Sequence, residues 1–306
     1  MRGGHRPRRS VTLLQVGADW LDSDHALSLA PNTRRTYTGV IELHIMKWIG
    51  SAKVEYIDAP FVKGWQRDLA SAGVPPDARA RALKYLKMLL NFAVEEGHLQ
   101  GNPAMVVRPP KIPASEPVKV LSPRQIESVI AKMDREQDRI YIALMAYAGL
   151  RPGEVHRLTW DRIQERSIIV RAEKSNRVDT VRVWDFLIED LERWRQAGSQ
   201  TVIPNGPWGK TRYDNWRTRV FNPAVKAAGF PLITPMTFRH SYASMLLRAG
   251  WQPINVAAAM RHGLDMTQTV YGHVIADIDP LDPLILPDAI LDARAKLTTN
   301  GHAALV

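Results

Sequence analysis

The stretch Ala146–Trp160 reads AYAGLRPGEVHRLTW. Tyr141–Tyr147, which runs into its start, is apolar almost all round, so it predicts a helix buried on every side. Gly149 ends that helix, because glycine enters the left-handed conformation of a helix terminus without a side-chain clash. Arg151 and Glu154 follow, three residues apart. That spacing suits a plain ion pair, and it equally suits an arginine held in place for chemistry. The rest of this domain lies on either side.

Upstream, LSPRQIESVI opens the domain. Ser122 caps a helix, Pro123 takes its first position and Gln125 its third, which makes a capping box. Before it, Val106–Val120 reads VVRPPKIPASEPVKV. Its prolines and alternating charge predict an extended, helix-free connector. The expected divisions are a basic tail over 1–10, a helical domain over 11–105, a linker over 106–118, a larger domain over 119–286, and a C-terminal helix and tail over 287–306. The helical domain predicts four helices, near Val11–Asp22, Asn32–Ile49, Ile57–Ser71 and Ala78–Glu96. In the last, Leu83, Leu86, Leu90 and Ala93 recur at helical spacing, while Arg81, Lys84 and Lys87 occupy a different face. With Arg34 and Arg35 they offer phosphates a basic surface, or form a solvated face and no more. Downstream of Trp160, Ser167–Val170 and Thr180–Trp184 read as two short strands around a polar turn. Helices resume near Phe186–Gln196 and Asp214–Ala228, after Pro235, at Pro253–Met260, at Thr267–His273 and over Asp288–Lys296. The fold class is mainly α with a small antiparallel β-sheet.

Composition narrows the function. The 306 residues suit two domains, and 45% hydrophobic residues supply sizeable cores. The net charge of +10 is shared by both sides of the linker. It favours a polyanionic partner, most often nucleic acid, although a solubilising charge gives the same sum. With no cysteine, disulfides, Cys-ligated zinc and cysteine catalysis are excluded, and a reducing cytoplasm is permitted. No run approaches the roughly 18 to 20 apolar residues of a membrane span. The basic start lacks the apolar core of a secretory signal. There is neither the carboxylate cluster of two-metal nucleases nor a phosphate-cradling P-loop, so no metal and no other cofactor is expected.

Three blocks together resemble the tyrosine recombinase family, the phage integrases. In that family a first catalytic arginine sits in a Gly-Leu-Arg-x-x-Glu context, here Arg151 with Glu154. The block TPMTFRHSYASMLLRAG (Thr234–Gly250) is similar to the second signature box, usually His-x-x-Arg-His, and places Arg239 and His240 there. The block MRHGLDMTQTVYGHV (Met260–Val274) is similar to the third, with His262 and, nine residues on, Tyr271. The turn around Lys174 resembles the hairpin that presents a catalytic lysine, with Arg171 and Arg177 beside it. Each box alone is weak. Their joint order, over about residues 11–290, carries the resemblance.

The resemblance implies a SAM-like core-binding helical domain followed by a mixed α/β catalytic domain. It implies site-specific DNA recombination through a 3′-phosphotyrosyl intermediate, with Tyr271 as nucleophile. The chemistry asks for these residue types. Attack on a phosphodiester gathers negative charge on its non-bridging oxygens, and permanently charged guanidiniums, here Arg151 and Arg239, stabilise it. A phenol with a pKa of about 10 becomes a useful nucleophile beside positive charge, once its proton is removed. By resemblance Glu154 orients Arg151, Lys174 protonates the leaving 5′-oxygen, His262 donates to the phosphate and His240 supports the site. One position departs from the pattern: the first histidine of the second box falls at Met236, and a thioether takes no proton at useful pH. Water, Thr237 or His240 must then receive the tyrosine proton, and a slowed enzyme is expected.

The implied partners are double-stranded DNA attachment sites, three further copies of the chain in a homotetramer, and DNA-bending accessory proteins of host or phage. The setting is the bacterial cytoplasm, on DNA. The C-terminal segment, with Leu281, Leu284, Ile285 and Leu286, is expected to dock on a neighbouring protomer, the alternative being that it folds back on its own domain. The terminal TNGHAALV reads as a plain terminus or a protease-read tag. The layout looks like a compact two-domain integrase. Rival readings are a cellular Xer-like chromosome-dimer resolvase, a catalytically weakened DNA-binding regulator of the same fold, and a type IB topoisomerase.

Overall fold

The computed structural model describes residues 10–113, 118–171, 178–195, 198–204, 209–276 and 286–302. The tail 1–9, part of the linker, Lys174 with Arg177, Leu281, Leu284 and Ile285, and the last four residues lie outside the described residues. The chain forms two compact units, Met1–Ser115 and Glu116–Val306.

The N-terminal unit is helical. Its elements are α1 (Leu13–Leu21), α2 (Asp24–Ser28), α3 (Pro31–Val40), which runs through a π-helical stretch into α4 (Lys47–Ile49), then α5 (Ala59–Ser71) and α6 (Pro76–Glu95). Side chains cap three of the starts: Thr12 with Gln15 in a capping box, Ser23, and Asp58. Leu13, Trp20, Ile41, Ile45, Trp65, Leu69, Leu83, Leu86 and Leu90 fill the core. Leu83, Leu86, Leu90 and Ala93 therefore face inward, and Arg81 and Lys84 stand exposed on the opposite side of α6.

The C-terminal unit begins with α7 (Pro123–Ile130), opened by the Ser122–Gln125 capping box. Then come α8 (Glu136–Tyr147) and α9 (Pro152–His156). A three-stranded antiparallel sheet follows, in the order β1 (Ile163–Gln164), β2 (Ser167–Arg171), β3 (Val178–Arg182), with Ile168 opposite Val181. The remaining elements are α10 (Asp185–Trp194), α11 (Lys210–Trp216), α12 (Asn222–Ala227), α13 (Pro235–Arg248), α14 (Pro253–Met260), α15 (Leu264–Ala276) and α16 (Leu286–His302). Every residue of α8 from Ile140 to Tyr147 is buried, and α13 packs along it. The second strand lies two residues earlier than Thr180–Trp184 suggests. Trp184 leaves the sheet to cap α10, so its alternation with Thr180 belongs to two elements. β1 is too short to show a period.

Within the single chain, the C-terminal helix takes the alternative of folding back on its own domain. Helix α16 lies on its own unit, against α7, with Leu286, Ile290 and Ala293 buried. Arg294 reaches Glu127 at 3.1 Å and Asp190 at 2.8 Å. It also lies over the rings of Tyr147 and Phe186. Glu127 is only 6% exposed, and a buried carboxylate without a cation is costly. That demand, with the apolar face of α16, draws the helix back onto its own domain.

Candidate active site

The site grows from the end of α8. Gly149 takes a φ of +60°, and a Cβ there would sit 2.5 Å from Cδ1 of Tyr242. Only a residue without a side chain turns the chain in this space. Leu150 enters the core, and Arg151 becomes the N-cap of α9, with Pro152 in the first position. Glu154 closes the turn. One carboxylate oxygen accepts the Arg151 backbone N–H at 2.8 Å, and the other accepts its guanidinium Nη1 at 2.9 Å.

Two further guanidiniums converge on this turn. Arg239, on the buried face of α13 and 2% exposed, donates to the carbonyls of Gly149 and Met260. Arg261 ends α14 in the left-handed conformation, φ 54°, which bends its side chain and its carbonyl into the cluster. Its Nη2 lies 2.7 Å from the Glu154 carboxylate and 3.3 Å from the Gly149 carbonyl. Its own carbonyl accepts from Arg151 at 3.2 Å. A non-glycine residue in this conformation costs on the order of 1 kcal/mol, held here by the ion pair and the surrounding hydrogen bonds.

Positive charge outweighs negative in the cluster. Three guanidiniums face one carboxylate. Burial works to raise the Glu154 carboxyl, but Arg261 and the contacts of Arg151 outweigh it and hold it below the ordinary range. Burial, then Arg151 and Arg261, pull Arg239 down to about 9, which still leaves it cationic at neutral pH. A phosphate would relieve this mutual repulsion. The Arg151 side chain is 41% exposed and faces solvent, whereas that of Arg261 is 6% exposed.

The phenol stands beside this charge. Tyr271, on α15, is 1% exposed, and its Oη lies 2.8 Å from Nδ1 of His240. Burial pushes its pKa up to about 12, while Arg239 pulls the other way. His240 is held below the usual histidine range by burial, then by Arg239 and His262. His262 is lowered too, by burial first and then by Arg239, Arg151 and Arg261, with the Gly263 carbonyl opposing. Its Nδ1 lies 3.1 Å from that carbonyl and 3.3 Å from Oγ1 of Thr267. Arg151, Glu154, Arg239, His240, His262 and Tyr271 thus gather in one chain, although up to 120 residues separate them. Lys174 lies outside the described residues.

Sequence reasoning missed Arg261. The one local sign is its place between Met260 and His262 in the third block. The basic residues of the N-terminal unit are less uniform than their spacing suggests. Arg34 donates to the Leu21 carbonyl at 3.2 Å, Arg35 to Asn32 at 2.8 Å, and Arg81 pairs with Asp77 at 3.2 Å. Lys84 is exposed. Lys87 instead donates to the Val107 carbonyl at 2.9 Å and the Met105 carbonyl at 3.4 Å, tying down the segment that follows α6. Among the described residues no group of three or more His, Asp or Glu is arranged to hold a metal, and no helix is long and apolar enough to cross a membrane.

Residues 119–277 match the model of the phage integrase family. The chain is similar to tyrosine recombinase XerD of Vibrio cholerae, 24% identical over 267 residues, which cover 81% of this chain and 88% of that protein. Among solved structures, a lambda integrase dimer bound to a COC′ core site superposes with a TM-score of 0.71 at 16% identity, covering 84% of this chain and 97% of that one. A lambda integrase tetramer bound to a Holliday junction gives 0.70 at 17% identity, covering 86% and 83%.

Proposed function

The chain belongs to the phage integrase family, the tyrosine recombinases, and from that premise we propose that it integrates and excises a viral genome at specific DNA attachment sites. Recombinases of this family cut and rejoin DNA without a high-energy cofactor, because a phosphotyrosine ester conserves the energy of the broken bond. In this reading Tyr271 attacks the scissile phosphate and stays joined to the 3′ end. Arg151 and Arg239 stabilise the charge that gathers on the phosphate, Glu154 orients Arg151, and His262 donates to a non-bridging oxygen. Lys174 protonates the 5′-oxygen. The observation that carries the reading is the convergence of these two guanidiniums and the phenol in one chain.

Two duplexes, four copies of the chain and DNA-bending accessory proteins complete the proposed assembly, in the bacterial cytoplasm. The lambda integrase tetramer on a Holliday junction supports the four-subunit form by analogy. Arg34, Arg35, Arg81 and Lys84 would bind phosphates along the duplex, while Lys87 ties down the segment that follows α6.

The test uses a duplex selected by the full chain from a random library, nicked near the selected site so that cleavage is trapped. Wild-type protein should give a covalent protein–DNA band, and Tyr271→Phe none. An equal band from Tyr271→Phe would refute the reading. One observation favours a second reading, chromosome-dimer resolution: the Vibrio cholerae relative is a Xer protein. Strand exchange on candidate attachment sites but not on a dimer-resolution site favours integration, and the reverse favours the Xer-like role.

A further inference from the structure

Resting on the recombinase reading, the unsettled step is where the Tyr271 proton goes. Among the described residues its Oη has one hydrogen-bonding partner, Nδ1 of His240, at 2.8 Å. Met236 lies one turn earlier on the same face of α13 and offers a thioether, which accepts no proton at useful pH. Thr237 is committed elsewhere. Its Oγ1 accepts the Thr234 N–H at 3.1 Å in the capping box that starts α13, and its carbonyl accepts from Ser241 at 2.8 Å. We propose that His240 is a catalytic residue, the general base that takes the Tyr271 proton during strand cleavage and returns it during rejoining.

The step balances. Tyr271 Oη forms a bond to phosphorus as its proton moves to Nδ1. The P–O5′ bond breaks with its electron pair on O5′, which takes a proton from a general acid or solvent. In rejoining, a free 5′-hydroxyl attacks the phosphotyrosine, the phenolate leaves, and the imidazolium returns the proton. The acceptor must be neutral beforehand, with its ring hydrogen on Nε2. Burial, Arg239 on the same helix and His262 after α14 all favour the neutral ring, and Tyr271 on α15 is the group it faces. The new imidazolium forms beside a phosphate that is gaining negative charge.

The test is single-turnover cleavage of the nicked duplex by the full chain. His240→Asn keeps a polar group of similar reach but no proton acceptor. Cleavage should slow by about 10²- to 10⁴-fold while DNA affinity changes by no more than about threefold. A duplex with sulfur in the 5′-bridging position has a leaving group that needs no protonation. The His240→Asn defect should persist on it. A defect that vanishes there would assign His240 to the leaving group and overturn the proposal. So would His240→Asn cleaving at the wild-type rate or faster, since the contact would then only shelter the phenol. If this variant does not fold, the wild-type pH profile decides. Because His240 is held below the usual histidine range, cleavage that falls on acidification below that range supports the proposal, and a rate that stays flat down to the acid limit of the folded protein overturns it. Tyr271→Phe, run alongside, separates this failure from failure of the recombinase reading, because only the latter predicts an active Phe variant.

Discussion

The arginine cluster of the C-terminal unit and the basic surface of the N-terminal unit hold the same kind of charge in opposite ways. Arg239 and Arg261 are buried and held by backbone carbonyls and by Glu154, on a turn that Gly149 alone can make. Arg81 and Lys84 lie on an exposed helix face, and Arg81 meets nothing firmer than a solvated i,i+4 partner. Preorganised charge stabilises a transition state because it needs no rearrangement when the charge develops. Loosely held charge suits a duplex whose phosphates a protein must follow along its length. The two regions should therefore fail differently when a cation is removed.

Among single cation replacements in the two regions, the largest effect belongs to Arg239→Lys. The two carbonyl contacts need a planar fork, which an ammonium cannot copy. Single-turnover cleavage should fall about 10²- to 10³-fold, with duplex affinity much less affected. A drop confined to affinity would erase the contrast between the two regions. Next comes Arg261→Ala, which leaves the nearly buried Glu154 with Arg151 as its one remaining ion-pair partner among the described residues. Cleavage should fall about tenfold or more, and the urea midpoint should report a loss of about 2 kcal/mol. Unchanged stability would mean that Arg261 does not hold Glu154 in solution. In the N-terminal unit, Lys84→Ala should shallow the slope of log affinity against log salt by about 0.9, with stability unchanged. Lys87→Met should do the reverse, lowering stability by about 1 kcal/mol and leaving most of the slope intact. Equal slopes for the two variants would make Lys87 a phosphate contact after all.

A further effect is one of pH. Burial, then Arg157 and Arg212, bring His156 down to about 4. Its folded pKa lies below the unfolded value of about 6.5, so its contribution to stability is complete above that value. It is lost as pH falls toward about 4. The melting temperature of the C-terminal unit should therefore decline over this window, and His156→Phe should flatten the decline.

Much of this architecture was legible in local pattern. The apolar run Tyr141–Tyr147, the stop at Gly149, the Ser122–Gln125 box and the leucine spacing of α6 each rest on contacts within a few residues, and each appears in the structure. What local pattern hides is contact across long separations. Arg261 meets Glu154 across 107 residues and through a left-handed backbone that nothing in its neighbours requires. The His240–Tyr271 bond depends on how α15 is laid against α13. Lys87 shares the periodicity of Arg81 and Lys84, yet the chain returning after α6 gives it carbonyls to hold. The course of α16 was open for the same reason, since the burial of Glu127 is invisible from sequence.

One mixing experiment tests the central idea most directly: that a single subunit supplies both guanidiniums and phenol to one phosphate. Arg239→Ala and Tyr271→Phe proteins, each inactive alone, are combined on a nicked duplex carrying one cleavage site. No covalent adduct should form, because neither chain holds a complete set. An adduct approaching a quarter or more of the wild-type yield would mean that a neighbouring subunit delivers the tyrosine, and that the arrangement seen within one chain is not the one that cuts.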